Sequence, residues 1–162
     1  VYTAKSYSLT TEFYETLQSA SGSMGVTVDD PQWCELSNNK PKDYIDAIVA
    51  NVDPKKCILV VVIIFNKDSK KPIKAHLDKM GVPSQFVTED TIKRSSGKLG
   101  VYSNILKQMN AKVKLDVYRL KFTIPNMMVV GIDVVNMGRK SIIGFASSYS
   151  PYITQHYTEV TY

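Results

Sequence analysis

The chain has 162 residues, 44% hydrophobic, with a formal net charge of +5, which suits about one domain with a packed core. Cys34 and Cys57 are its only cysteines, too few for a Cys-only zinc site or a disulfide scaffold, so a reducing cytosolic or nuclear setting is expected. The longest apolar run, Ile58 to Phe65, is too short to span a bilayer.

No charged-then-apolar signal peptide opens the chain, and a start at Val1 rather than Met reads as a fragment. The charge is unevenly spread. Between Lys67 and Lys121 there are 13 Lys/Arg against 5 Asp/Glu, a surplus of +8, so the rest of the chain carries −3. A basic middle on an otherwise acidic protein implies a localised anion site, or else a set of solvated helix faces.

In chain order, residues 9–20 predict a helix, with Thr10 and Thr11 as caps and Phe13, Leu17 and Ala20 on one face. Met24 to Val28 reads as a short strand. A second helix opens near Asn39, sets Tyr44, Ile45, Ile48 and Val52 on one face, and ends at Asp53-Pro54. "CILVVVIIF" (57–65) is apolar on both faces and β-branched, as a central strand of a parallel sheet must be. After the polar loop "NKDSKK" a helix runs through Pro72 to about Met80 and stops at Gly81. "SQFVT" (84–88) is the next strand. Gly100 to Lys112 is a further helix, with Val101, Ile105 and Met109 in a stripe. This alternation predicts an α/β unit with a parallel sheet flanked by helices. Three strand-like runs follow, at 126–136, 140–150 and 152–162, separated by "NMGR" and "SP". They predict an antiparallel meander, with Pro125 at the boundary.

Nucleotide-binding and metal motifs are absent. Ser95-Ser96-Gly97-Lys98 resembles the end of a P-loop but lacks the first glycine and does not directly follow the long strand. His76 and His156 stand alone, as ordinary surface histidines do more often than ligands or acid–base groups. One convergence remains. In an open α/β sheet ligands bind outside the carboxyl ends of the strands. The loop after the long strand lies there, with the helix that carries Lys74, whose N-terminal amides favour an anion. Lys74, Gln85 and the i, i+4 pair Gln108/Lys112 would supply the charge and directed N–H groups a phosphate needs. Each residue singly reads as a solvated polar side chain.

The ordered set of motifs carries a resemblance. Lys74, Pro83-Ser84-Gln85, Gln108-Met109-Asn110-Ala111-Lys112, Gly131-Ile132-Asp133 and Arg139 to Phe145 resemble, in order and spacing over roughly residues 45–150, the Argonaute family and within it the Piwi branch. The resemblance implies a segment preceding the MID domain over 1–22, a Rossmann-like MID domain over 23–124, and the first three strands of an RNase H-like PIWI domain over 125–162. It implies capture of the 5′-phosphate and first nucleotide of a small, piRNA-like guide RNA in gene silencing. Lys74, Gln85, Gln108 and Lys112 would hold the phosphate, and the loop Phe65, Asn66, Lys67, Asp68, Ser69 would read the first base. Lys70 stands where the family usually has a base-stacking tyrosine, which leaves Lys70 to contact phosphate instead. Ala75 replaces a second base. Mg2+ is implied as a bridge to the phosphate and at the full-length nuclease site, whose first carboxylate matches Asp133.

Asp133 alone cannot cleave RNA, because such sites hold paired ions with several carboxylates. The chain is therefore expected to bind and not to catalyse. Its expected partners are the guide RNA, the remainder of the PIWI domain and a second copy through exposed strand edges, with no membrane, in cytoplasm, nucleus or both. Two other readings stand. One is a small metal-dependent nuclease or hydrolase using Asp133 with Asp116 or Glu159. The other is a protein-interaction module whose basic face meets an acidic partner.

Overall fold

The computed structural model describes every residue except Val117 and Leu120. The chain forms two compact units, Val1–Val117 and Tyr118–Tyr162. The first runs β1 (Tyr2–Thr3), α1 (Tyr7–Gly22), β2 (Glu35–Leu36), α2 (Pro41–Asn51), β3 (Val60–Ile64), α3 (Lys70–Met80), β4 (Ser84–Thr88), α4 (Glu89–Ser95) and α5 (Leu99–Lys112).

β3 and β4 pair in parallel, with Val60 opposite Ser84 and Ile64 opposite Thr88. β1 and β2 form a second parallel pair. The two pairs are joined at Val1, whose nitrogen donates to Val61 O at 2.9 Å while Val1 O accepts from Ile63 N–H at 3.0 Å. Val1 thus lies against β3 just before β1, while β1-β2 and β3-β4 stay separate two-stranded pairs, and among the described residues β4 has β3 alone as its strand partner. The alternation of a strand explains why "VVVII" is apolar throughout. Ile63 and Val87 face one core with Phe13 and Leu17 of α1 and Tyr102, Ile105 and Leu106 of α5. Val60, Val62 and Ile64 face another with Tyr44 and Ile48 of α2 and Ile73 and Leu77 of α3.

The strand expected at Met24 to Val28 is absent: α1 runs on to Gly22, the chain turns at Gly25 with φ +64°, and the segment after it is irregular. β1 and β2 have two residues each, too few for any alternation to show. Thr10 and Thr11 are not caps. They lie inside α1 and their hydroxyls donate to the carbonyls of Ser6 and Tyr7. At α2 the flanking residue is Lys40 rather than Asn39, and its N–H donates to the Asp43 carboxylate at 3.3 Å. The unexpected α4 has an ordinary signature: Thr88 Oγ1 accepts from Thr91 N–H at 3.1 Å, and Glu89 and Asp90 occupy the first turn.

Tyr44 joins α2 to the sheet. It is 1% exposed, and its hydroxyl donates to Ile63 O at 2.9 Å. Burial, with a smaller push from Glu89, raises its pKa from 10.0 to about 12. The folded state thus holds this proton more tightly than the unfolded chain does. The stabilisation is fully present below pH 10 and is lost as pH rises towards 12. Tyr44→Phe is expected to be less stable at neutral pH, by about 1–3 kcal/mol for the orphaned carbonyl, and to show a weaker fall in stability over that alkaline window. Denaturant titrations across pH 8–12 check it.

The second unit contains β5 (Val130–Met137), β6 (Lys140–Ser148) and β7 (His156–Thr161), antiparallel in the order β5-β6-β7. It is the expected meander. Met137 pairs with Lys140 across a two-residue turn in which Gly138 has φ +63°, a conformation glycine adopts without strain. Ile132, Val134 and Val135 of β5 and Val160 of β7 are exposed.

Candidate nucleic-acid interface

Three of the predicted residues meet at β4. Gln85 is 5% exposed. Its Nε2 donates to Gln108 Oε1 at 3.2 Å, and its Oε1 accepts from Lys112 Nζ at 2.7 Å. Lys112 Nζ also donates to Ser84 O at 2.6 Å. Helix periodicity brings Gln108 and Lys112 to the same side of α5, one turn apart. The odd-numbered positions of β4 face α5, which aims the Gln85 amide at both. Because β4 is an edge strand, Ser84 O has no strand to accept from, and the Lys112 ammonium supplies the missing donor.

Lys70 and Lys74 approach from α3, on the other face of the sheet. The Lys112 pKa is lowered from 10.5, first by burial, then by the charges of Lys74 and Lys70, so the three ammoniums lie within electrostatic range of one another. Lys74 Nζ binds both oxygens of Asp78, at 2.8 and 3.0 Å, in an exposed i, i+4 pair. Lys70 Nζ lies 6.0 Å from the centroid of the Phe86 ring, at the outer limit of a cation–π contact. Lys67, Lys70, Lys71, Lys74, Ala75 and Asp78 line an open depression of about 420 Å³.

The expected placement beyond the carboxyl ends of the strands needs correction. Gln85 is the second residue of β4 and pairs with Val61, the second of β3. The cluster is therefore at the amino end of the sheet, beside its edge. The loop 65–69 follows the carboxyl end of β3. At ~3.3 Å per residue the two lie roughly 13 Å apart along the strand. Within the loop, Lys67–Ser69 form a 3-10 turn, and Asn66 Oδ1 accepts from Asp68 N–H at 3.0 Å. Phe65 is 67% exposed, and Asn66, Lys67 and Asp68 are exposed, but Ser69 is buried at 7%. Ser69 therefore supports the loop and does not present a side chain to solvent.

Asp133 is exposed on β5, and its Oδ1 accepts from Val134 N–H at 2.9 Å. Opposed residues share a face of an antiparallel sheet. Asp133, Gly144 and Val160 thus share one face, and Ile132, Phe145 and Glu159 the other. Asp133 and Glu159 cannot converge, which removes that pairing as a nuclease site. Asp116 belongs to the first unit. Among the described residues no group of three or more His, Cys, Asp or Glu side chains could hold a metal. The residues present do not fit a two-metal centre. The lysine–glutamine cluster, rich in donors and poor in anionic ligands, does not fit a resident Mg2+ either.

Sequence reasoning missed Asp78, Lys71 and the main-chain oxygen of Ser84. Asp78 was within reach of the i, i+4 rule applied to Lys74. Ser84 O was not, because an edge strand is known only from the assembled sheet. No helix among the described residues is long and apolar enough to cross a membrane.

A family model described as "Piwi domain" matches residues 57–162. The chain belongs to the Piwi branch of the Argonaute family. Over 98% of its length it is 24% identical to Piwi-like protein 1 of Gallus gallus, covering 19% of that protein. Over 88% it is 30% identical to Piwi-like protein 3 of Homo sapiens, covering 18%. The chain thus spans about a fifth of the length of these Piwi relatives. Its fold matches the crystal structure of Drosophila Piwi with a TM-score of 0.86 at 20% identity, over 99% of this chain and 23% of that one. It also matches the crystal structure of Aa-Ago with externally-bound siRNA, with a TM-score of 0.66 at 18% identity, over 92% of this chain and 24% of that one.

Proposed function

We propose that this Piwi-branch chain binds the 5′-phosphate and first nucleotide of a small guide RNA, as the 5′-end module of a Piwi-type Argonaute in RNA-guided silencing. The hydrogen-bonded cluster Gln85–Gln108–Lys112 carries this reading. It is prepared for an anion without being used up. An ammonium has three donors, and Lys112 spends two, on Ser84 O and Gln85 Oε1. The Gln108 amide group keeps its N–H donors. Lys74 is held by Asp78 in an exposed pair of a kind typically worth about 0.3–0.5 kcal/mol, which a phosphate can outcompete. Lys70 adds charge where a stacking tyrosine would add an aromatic face, and exposed Phe65 offers such a face in the loop that reads the first base.

On this reading residues 23–124 form the MID domain and 125–162 the opening strands of the PIWI domain. The exposed apolar residues of β5 and β7 then await the remainder of that domain or a second copy. Asp133 is the first carboxylate of the RNase H-like nuclease of the full-length protein. Any Mg2+, there or at the phosphate, draws carboxylates from outside this chain. Cytoplasm and nucleus both suit such a protein.

The experiment is fluorescence anisotropy of a short RNA beginning with uridine, with and without its 5′-phosphate, at fixed salt. The phosphorylated RNA is expected to bind at least about tenfold more tightly, or ~1.4 kcal/mol. Equal binding of both would leave a generic basic face and defeat the proposal.

A further inference from the structure

Trp33 is the only tryptophan in the chain, and 45% of it is exposed. Its ring is nevertheless held in place. Tyr2 and Tyr14 meet it nearly at right angles, at 5.8 and 5.5 Å between centroids. Tyr7, 57% exposed, packs against Tyr2 at 6.0 Å. Two exposed carboxylates are fixed to the same tyrosines. Tyr2 donates its hydroxyl to Glu35 Oε2 at 3.3 Å, and Tyr14 donates to Asp30 Oδ1 at 2.6 Å. A carboxylate has about four acceptor sites, and among the described residues neither Asp30 nor Glu35 has an ion pair. From Ser6 to Asn39 the sequence holds five Asp/Glu and no Lys/Arg, a local −5 on a chain of +5. Open aromatic rings thus stand beside carboxylates that lack a cation.

We propose that Trp33 and Tyr7, with Asp30 and Glu35, form a docking surface for an arginine-bearing segment of a partner protein. A planar, weakly hydrated guanidinium stacks on an aromatic face while its N–H groups still reach a carboxylate. An ammonium is more strongly hydrated and gives up more on leaving water. Rings already held by their neighbours lose little rotamer freedom when a ligand covers them. Charge selects the class of partner. A nucleic-acid base could stack on Trp33, but its phosphates would meet Asp30 and Glu35, and an acidic peptide would be repelled in the same way. The surface is built from β1, α1, β2 and the segment before β2. It shares no residue with the Gln85 cluster and stands independently of 5′-phosphate binding.

The test titrates the chain with fluorescein-labelled oligo-arginine and, for comparison, oligo-lysine of the same length. Anisotropy reads binding, and the emission of Trp33, the only tryptophan, reports whether this surface is the one covered. Oligo-arginine is expected to bind more tightly than oligo-lysine and to shield Trp33 from quenching by acrylamide. Trp33→Ala should weaken oligo-arginine binding by roughly 2–5-fold, as loss of one exposed cation–π contact does. The double variant Asp30→Asn/Glu35→Gln should weaken it by about threefold or more. Asparagine and glutamine still accept from the Tyr14 and Tyr2 hydroxyls, so this second variant keeps the fold even where Trp33→Ala disturbs it. Binding that leaves Trp33 quenching unchanged would place the peptide elsewhere and overturn the proposal. Equal affinity for the two peptides would also overturn it, by reducing the surface to general negative charge. So would an absence of binding, or a Trp33 that becomes shielded only as protein concentration rises, which would assign the surface to a second copy of the chain.

Discussion

Lys112→Met is expected to weaken binding of 5′-phosphorylated RNA by about 10–100-fold, the equivalent of losing one hydrogen bond to a charged group at ~1.5–3 kcal/mol. Methionine keeps the apolar stem and removes every donor. It leaves Gln85 Oε1 and Ser84 O without the ammonium that now serves both, so the Gln85 amide also loses the contact that orients it. Lys74→Ala should cost less, because Lys74 is already partly neutralised by Asp78. The pH dependence follows from the lowered pKa of Lys112. A lowered ammonium pKa means that charge is lost at lower pH than for an ordinary lysine, so phosphate binding should decline earlier on the alkaline side, and less so in Lys112→Met. The control is the 5′-hydroxyl RNA, whose affinity should change little. If both RNAs weaken equally, Lys112 contributes general charge and not recognition of the 5′ end.

The elements with strong periodicity were legible in the sequence. β3 was visible because a strand covered on both faces has no polar alternate, and α3 because Pro72 and Gly81 bracket it, with Gly81 at φ +71°. β1 and β2 were not visible: their two-residue pairings are set by Val1 lodging against β3, a contact some 60 residues away in sequence. The site was half legible. The residue types and the i, i+4 spacing of Gln108 and Lys112 pointed to an anion. Their place relative to the sheet did not follow, because the general rule for open sheets directs attention to the carboxyl ends. Here an unpaired edge carbonyl draws Lys112 to the amino end of β4 instead. Periodicity also placed the α5 stripe imperfectly. Val101 and Met109 are only partly buried, while Tyr102 and Leu106, beside Ile105, fill the core.

Leu77→Ala is expected to carry the largest stability effect of these changes, about 2–5 kcal/mol, against a total of roughly 5–15 kcal/mol for a domain. Leu77 is fully buried, in one cluster with Ile73, Tyr44, Ile48 and the even-numbered residues of β3. It and Ile73, also fully buried, form the i, i+4 pair that seats α3 on the sheet. The same helix carries Lys70, Lys71 and Lys74 on its exposed side, so its seating fixes where those charges lie. Neighbouring side chains in a close-packed core can close only part of the space an alanine leaves. Urea titration of Leu77→Ala should show a lower midpoint with an unchanged slope. In conditions where the variant is still folded, its affinity for 5′-phosphorylated RNA should fall less than that of Lys112→Met, because Gln85, Gln108 and Lys112 are held by β4 and α5 rather than α3. If Leu77→Ala leaves the midpoint unchanged, the packing of α3 against β3 described here is wrong. If instead it abolishes phosphate binding while stability holds, α3 dominates recognition and the Gln85 cluster is secondary.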